Sequence, residues 1–179
     1  MLSFSDKIQN IISHKQSVSL RFLSSYEQAQ IQPLTKTEDI RLYGGYDDAE
    51  RKRAYFYTEQ QDDITCFQII YPEKHLTITH QNILGTLLSF SITTDSIGDI
   101  LPKQGIFFCT SEIKDEVKRM FSAINHVPLE LVEIDPAIVH SEQEFESFQV
   151  ISDSLRLDLI VSKLTRLSRT ESTEMIAKE

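Results

Sequence analysis

The 179-residue sequence predicts an α+β fold. Three observations carry that expectation. Short apolar runs rich in β-branched and aromatic residues recur between residues 40 and 135, bounded by turn residues. Apolar residues at helical spacing fall between and before those runs. The last 26 residues then carry a separate helical pattern with its own capping signal. Hydrophobic residues make up 40% and charged residues 25%, ordinary for a folded domain, so one or two small domains with a sizeable core are expected.

Leu2, Phe4, Ile8, Ile11 and Ile12 predict a first amphipathic helix. Leu20, Phe22, Leu23 and Tyr26 predict a second, over Val18 to Gln30. "IRLYGGY" reads as a strand entering a turn at Gly44-Gly45, and "RAYFYTE" as the returning strand. The polar stretch Glu59 to Asp63 closes this helical and β-ribbon module, taken as residues 1–62.

From residue 63 to 136 the order is strand ("ITCFQIIYP"), helix ("THQNILGTLLSFSI", N-cap Thr79), strand ("IGDIL"), turn (Pro102 to Gly105) and strand ("IFFCT"). A helix capped by Ser111 ("SEIKDEVKRMFSAIN") and a strand ("VPLELVEI") complete it. This β-α-β-β-α-β order is the ferredoxin-like one, shared by RNA-recognition modules and by unrelated enzymes. A connecting segment, 137–153, adds one strand at "ESFQVIS".

The tail, 154–179, has an apolar stripe of Leu157, Ile160, Val161, Leu164 and Leu167. Its helix should stop near Leu167, because Ser168 and Glu171 form a capping box that opens another helix. Arg156 and Lys163 share a helix face, and Arg166 lies nearby. Arg169 falls in the first turn of the following helix, where a cation opposes the macrodipole. A cation placed there suggests a phosphate, since a helix start plus an arginine holds anions. The bland alternative is a solvated arginine.

Net charge is −9, which taken whole argues against nucleic acid. The distribution qualifies that. From Ser154 onward five basic residues stand against four acidic ones, a net +1, leaving −10 on the rest.

"LRLDLIVSKLTRLSRTESTEMI" resembles the opening of the alpha-L RNA-binding motif, the "S-four" domain. Arg156-Leu157-Asp158, Ser168-Arg169 and Ile176 match its pattern; Ser172 stands where alanine is usual, and the strand part is absent. The resemblance therefore implies a partial motif in a truncated chain. "GGYDDAERKRAYF" and "THQNILGTLLSFSITTDSIGDIL" resemble the YlmH-type RNA-binding proteins of bacteria, with Thr94 where that family has arginine. The resemblance implies a non-enzymatic protein that binds ribosomal RNA, and tRNA, on the large ribosomal subunit, in the rescue of stalled subunits carrying peptidyl-tRNA. Arg156, Lys163, Arg166, Ser168 and Arg169 are the expected RNA-binding residues.

Arg51, Lys52 and Arg53 are further candidates for RNA-backbone contact; three acidic neighbours (Asp47, Asp48, Glu50) equally allow a self-compensated, solvated turn. Phe107 lies where RNA-recognition modules display stacking aromatics, although "KQGIFFCT" lacks their signature and core packing is the favoured role. A His80–Asp99 pair is the one enzymatic arrangement considered, and a structural role for His80 is favoured over catalysis. The remaining histidines have no metal-ligand spacing. Cys66 and Cys109 are expected to be buried, reduced thiols. No cofactor, metal, small-molecule substrate or membrane partner is expected, and the chain is read as a cytoplasmic monomer. The rival reading is a protein-interaction adaptor linked to cell division that works through the acidic body.

Overall fold

The computed structural model describes residues 3–58, 63–72, 74, 77–140, 149–152 and 154–177. They group into two compact units, Met1–Ser141 and Glu142–Glu179. The chain is α+β, with antiparallel sheets.

In the first unit, α1 (Phe4–Ser13) starts where Ser3 and Asp6 form a reciprocal capping box, and it buries Ile8 and Ile11. Leu2 lies outside the described residues. The single helix expected over Val18–Gln30 is corrected. Val18–Ser19 form β1, and α2 covers only Ser25–Ile31. Ser24 and Glu27 make the capping box that starts α2, so helix cannot extend N-terminal to Ser24. The residues before it are extended and bonded to other segments: Leu20 N–H to the Ala54 carbonyl at 2.8 Å, Leu23 N–H to that of Lys52 at 2.9 Å. β2 (Ile40–Tyr43) and β3 (Arg53–Phe56) form the expected ribbon, in a sheet ordered β1-β3-β2.

β4 (Ile64–Ile70), α3 (His80–Ser89), β5 (Ile97–Leu101) and β6 (Ile106–Thr110) follow as expected, with Thr79 and Asn82 capping α3. α4 is shorter than its sequence pattern, Lys114–Met120, and Ser111 does not cap it. The Ser111 hydroxyl instead lies 2.9 Å from that of Thr65, and a 3-10 turn, Ser111–Ile113, leads into the helix. Ala123–Ile124 (β7) and Val127–Pro128 (β8) pair as a hairpin around Asn125 and His126, both with positive φ (49° and 65°). That two-residue turn matches the twist of the strands it joins and ends the helix pattern early. β9 (Glu130–Ile134) is the remainder of the last strand. The four-stranded sheet runs β5-β6-β4-β9, every neighbour antiparallel.

The two faces of this sheet have different neighbours. Phe67, Ile69, Phe107 and Cys109 pack with Ile83 and Leu87 of α3 and Val117 of α4. Cys66, Ile106 and Phe108 pack with Phe22, Tyr46 and Ala49 of the N-terminal segment, and with Val139. The sheet is therefore covered on both sides, which explains its continuous apolar strands. Both cysteines are free and buried, and burial pushes each thiol up to about 12.

In the second unit, α5 (Leu157–Thr165) ends at Arg166 in the left-handed region (φ 62°), and α6 (Arg169–Ile176) begins after the Ser168–Glu171 capping box. Ser172 is fully buried and donates its hydroxyl to the Ser168 carbonyl at 2.9 Å. The strand expected over "ESFQVIS" falls partly outside the described residues, and Gln149–Ser152 form no strand.

Candidate nucleic-acid interface

The tail cations are organised by one carboxylate. Asp158, in the first turn of α5, accepts from Arg156 Nε at 3.0 Å and from its Nη2 at 3.1 Å. Arg169 Nε lies 3.8 Å from the same carboxylate. These contacts, Arg156's hydrogen bond first, hold the Asp158 carboxyl below its ordinary value. Arg169 does lie in the first turn of α6, where a cation opposes the macrodipole, and its nearest carboxylate is that of Asp158. Lys163 Nζ donates to the Ile151 carbonyl at 2.7 Å. Arg166 is exposed on the turn between the helices. The structure brings Arg156 and Arg169 together around Asp158, and it engages Lys163 with Ile151, ahead of the tail.

Ser168 accepts from Glu171 N–H at 3.3 Å while Glu171 accepts from Ser168 N–H at 2.8 Å. The Ser168 hydroxyl contact, then the backbone one, lowers the Glu171 carboxyl. Ser168 is thus spent as a cap. It fixes the start of α6 and with it the direction in which Arg169 leaves the backbone.

In the first unit the three candidate cations differ sharply. Arg53 is 4% exposed; its Nε donates to the Leu20 carbonyl at 2.8 Å and its Nη1 lies 3.2 Å from the Asp63 carboxylate. It ties β1 and β3 to the start of β4, so its expected RNA contact is corrected to a structural role. The apolar run that follows it, Ala54 to Phe56, was visible in the sequence, but the partner carbonyl of Leu20 was not. Lys52 is half-buried, its backbone carbonyl holding Leu23. Arg51 is half-buried and donates from Nη2 to the Thr94 carbonyl at 2.9 Å.

Sequence reasoning named Asp99 only as a partner for His80 and missed that it shapes this loop. Asp99 of β5, 7% exposed, accepts from Tyr46 Oη at 2.8 Å, Glu50 N–H at 2.7 Å and Arg51 N–H at 2.8 Å. An aspartate inside the apolar run "IGDIL" was the available signal, because a buried carboxylate must be satisfied. Asp99 therefore does not pair with His80. His80 instead heads α3 beside a pocket lined by Tyr71, Thr77 and Lys103. Phe107 is fully buried beneath the helices, between Phe67 and Phe121. Neither Phe107 nor Phe108 is displayed for base stacking. Among the described residues, no group of three or more His, Cys, Asp or Glu is placed to hold a metal ion, and no helix is long and apolar enough to cross a membrane.

Residues 58–137, which hold the four-stranded sheet, match the family model described as "Putative RNA-binding domain in YlmH". The chain resembles YlmH-type proteins over that module. It is 28% identical over 171 residues to "Ribosome-associated protein quality control protein P2" of Bacillus subtilis (strain 168), covering 87% of this chain and 65% of the relative's length. Among solved structures it resembles "Cell division protein ylmH from Streptococcus pneumoniae", with a TM-score of 0.58 and 22% identity over 73% of this chain and 88% of that one.

Proposed function

We propose that this chain is a non-enzymatic, ribosome-associated RNA-binding protein that acts on stalled large subunits. The observation that carries it is the tail: Arg156 and Arg169 gathered at the starts of α5 and α6, the second helix capped by Ser168, with Arg166 exposed on the turn between them. Arginines at helix starts engage phosphate oxygens through charge-assisted hydrogen bonds. Arg156, Lys163, Arg166 and Arg169 supply the backbone contacts, and Ser168 presets α6. The relative's name, a ribosome-associated quality-control protein, supports the setting. The strand order β5-β6-β4-β9, with α3 and α4 packed on one face, supports a ferredoxin-like, RNA-recognition-like module. With its other face covered, that module serves as a scaffold, and RNA contact falls to cations outside the sheet. The chain works as a monomer, touching ribosomal RNA and tRNA.

The acidic body keeps the rival reading in play, a protein-interaction adaptor in cell division. Salt separates the two. Co-sedimentation with purified large ribosomal subunits should weaken steeply with added salt if phosphates are neutralised, and little if an apolar protein surface is bound. Absence of co-sedimentation at low salt contradicts the proposal.

A further inference from the structure

β5 departs from regular pairing at one place. Ile97 stands opposite Cys109 and Ile100 opposite Phe107, so the two residues Gly98 and Asp99 share the span of Phe108 alone. Such an irregularity re-aims side chains. Ile97 and Ile100 both join the core on the helix side. Gly98 faces the opposite side, where an added Cβ would meet Phe22 at 2.8 Å and Phe108 at 2.9 Å. Asp99 also turns to that side, where its three donors all come from the loop between β2 and β3. The next turn of chain takes part too, since the Thr94 carbonyl, ahead of β5, receives the Arg51 guanidinium.

Arg51 is thereby fixed at both ends. Its backbone N–H is held by Asp99 and its Nη2 by Thr94, while its Nε–H makes no hydrogen bond. From this geometry we infer that Asp99 is a positioning residue that presets Arg51 as a phosphate contact for RNA in the first unit. The inference rests on the RNA-binding reading above and adds to it a second contact, in a different unit from the tail. Asp99 itself touches no ligand. It removes backbone freedom that Arg51 would otherwise lose on binding, and such preorganisation raises affinity without adding a contact. Lys52 follows Arg51 and adds a second cation to the loop, against the exposed carboxylates of Asp47 and Asp48.

Asp99→Asn separates positioning from contact. The amide keeps one oxygen for Tyr46 and Glu50 N–H but turns its own N–H groups toward Arg51 N–H, so that bond is lost. The test compares the full chain with D99N, R51A and the double variant. Binding to purified large ribosomal subunits is measured across a salt series, and amide hydrogen exchange is followed at Glu50 and Arg51. R51A should lower the magnitude of the slope of log affinity against log salt by about 0.7–0.9, one phosphate contact. D99N should leave that slope unchanged, weaken binding several-fold and speed exchange at Arg51, with β6 protection intact. In the R51A background D99N should cost no further affinity.

An R51A slope equal to wild type overturns the inference, and so does an equal D99N loss in both backgrounds. If R169A still lowers the slope in that event, the RNA-binding proposal stands and only the second contact falls. If wild type does not bind subunits at all, the RNA-binding proposal falls with it, and the exchange data alone still report whether Asp99 holds Arg51.

Discussion

Tyr46 stacks on Phe108, ring centroids 5.1 Å apart and planes inclined by 22°. One ring comes from the loop after β2 and the other from the centre of the four-stranded sheet, so the contact joins segments that read as separate modules in the sequence. Offset stacking contributes about 0.5–1.5 kcal/mol beyond simple burial. The Tyr46 hydroxyl, next to Asp99, is pushed well above its ordinary value by burial first and by that hydrogen bond second. It stays protonated and donating throughout the physiological range.

Gly98 is where this closure is tightest. With Phe22 and Phe108 both inside 3 Å of an added Cβ, Gly98→Ala must displace an aromatic ring on one side or the other. Overpacking of this kind costs roughly 1–3 kcal/mol. Urea denaturation should show a midpoint lowered accordingly with the m-value unchanged. An alanine variant as stable as wild type means the Phe22–Phe108 packing around Gly98 is looser than those approaches.

Arg53→Ala should cost stability and leave RNA binding alone. The side chain is 4% exposed and satisfies the Leu20 carbonyl as well as Asp63. Breaking a buried pair costs roughly 3–5 kcal/mol, and the lower end applies because Asp63 keeps some solvent access. Thermal unfolding should detect this readily, whereas the salt slope of subunit binding should stay put. A stable variant with a reduced slope would return Arg53 to the list of contacts.

The thiols offer a chemical check on the core. Burial holds both folded-state values near 12, above the unfolded value, so almost no thiolate forms at pH 8. Ellman's reagent should find no fast-reacting thiol in the native chain and both cysteines after denaturation. Rapid native reaction of either one means the sheet opens on that side.

Most elements were legible because they announce themselves locally. Thr79 marks the start of α3 and Ser168 with Glu171 that of α6, and both caps form. Gly44-Gly45 marks the ribbon turn correctly, Gly45 adopting φ 108°. What failed was decided at long range. Val18 to Leu23 carry an apolar pattern that suits either a helix or an extended segment, and Ala54 and Lys52 decide it by offering backbone carbonyls. The site divides the same way. Ser168 and Arg169 were readable from spacing, while Arg53's burial and Asp99's grip on residues 46–51 depend on partners 33 to 53 positions away.

Acid should act on the tail through two carboxylates. Glu171 and Asp158 are held below their ordinary values by Ser168 and by Arg156 respectively. Their folded values lie below the unfolded ones, so the stabilisation is present above the unfolded value, about 4, and is lost as pH falls through the folded value. Side-chain carboxyl shifts followed by NMR should titrate at lower pH in the native chain than in urea. Matching midpoints in the two states would mean that neither contact persists in solution.

Arg169 is the most direct test of the tail as a phosphate-binding element. The Ser168–Glu171 box caps α6 without it, and its exposed pairing with Asp158 contributes little to stability. Arg169→Ala should therefore melt close to the wild-type temperature. Co-sedimentation with large ribosomal subunits, measured from low to physiological salt, should show weaker binding and a slope of log affinity against log salt reduced in magnitude by about 0.7–0.9. A variant that melts several degrees lower and keeps the wild-type slope would contradict this, and would make Arg169 a structural residue.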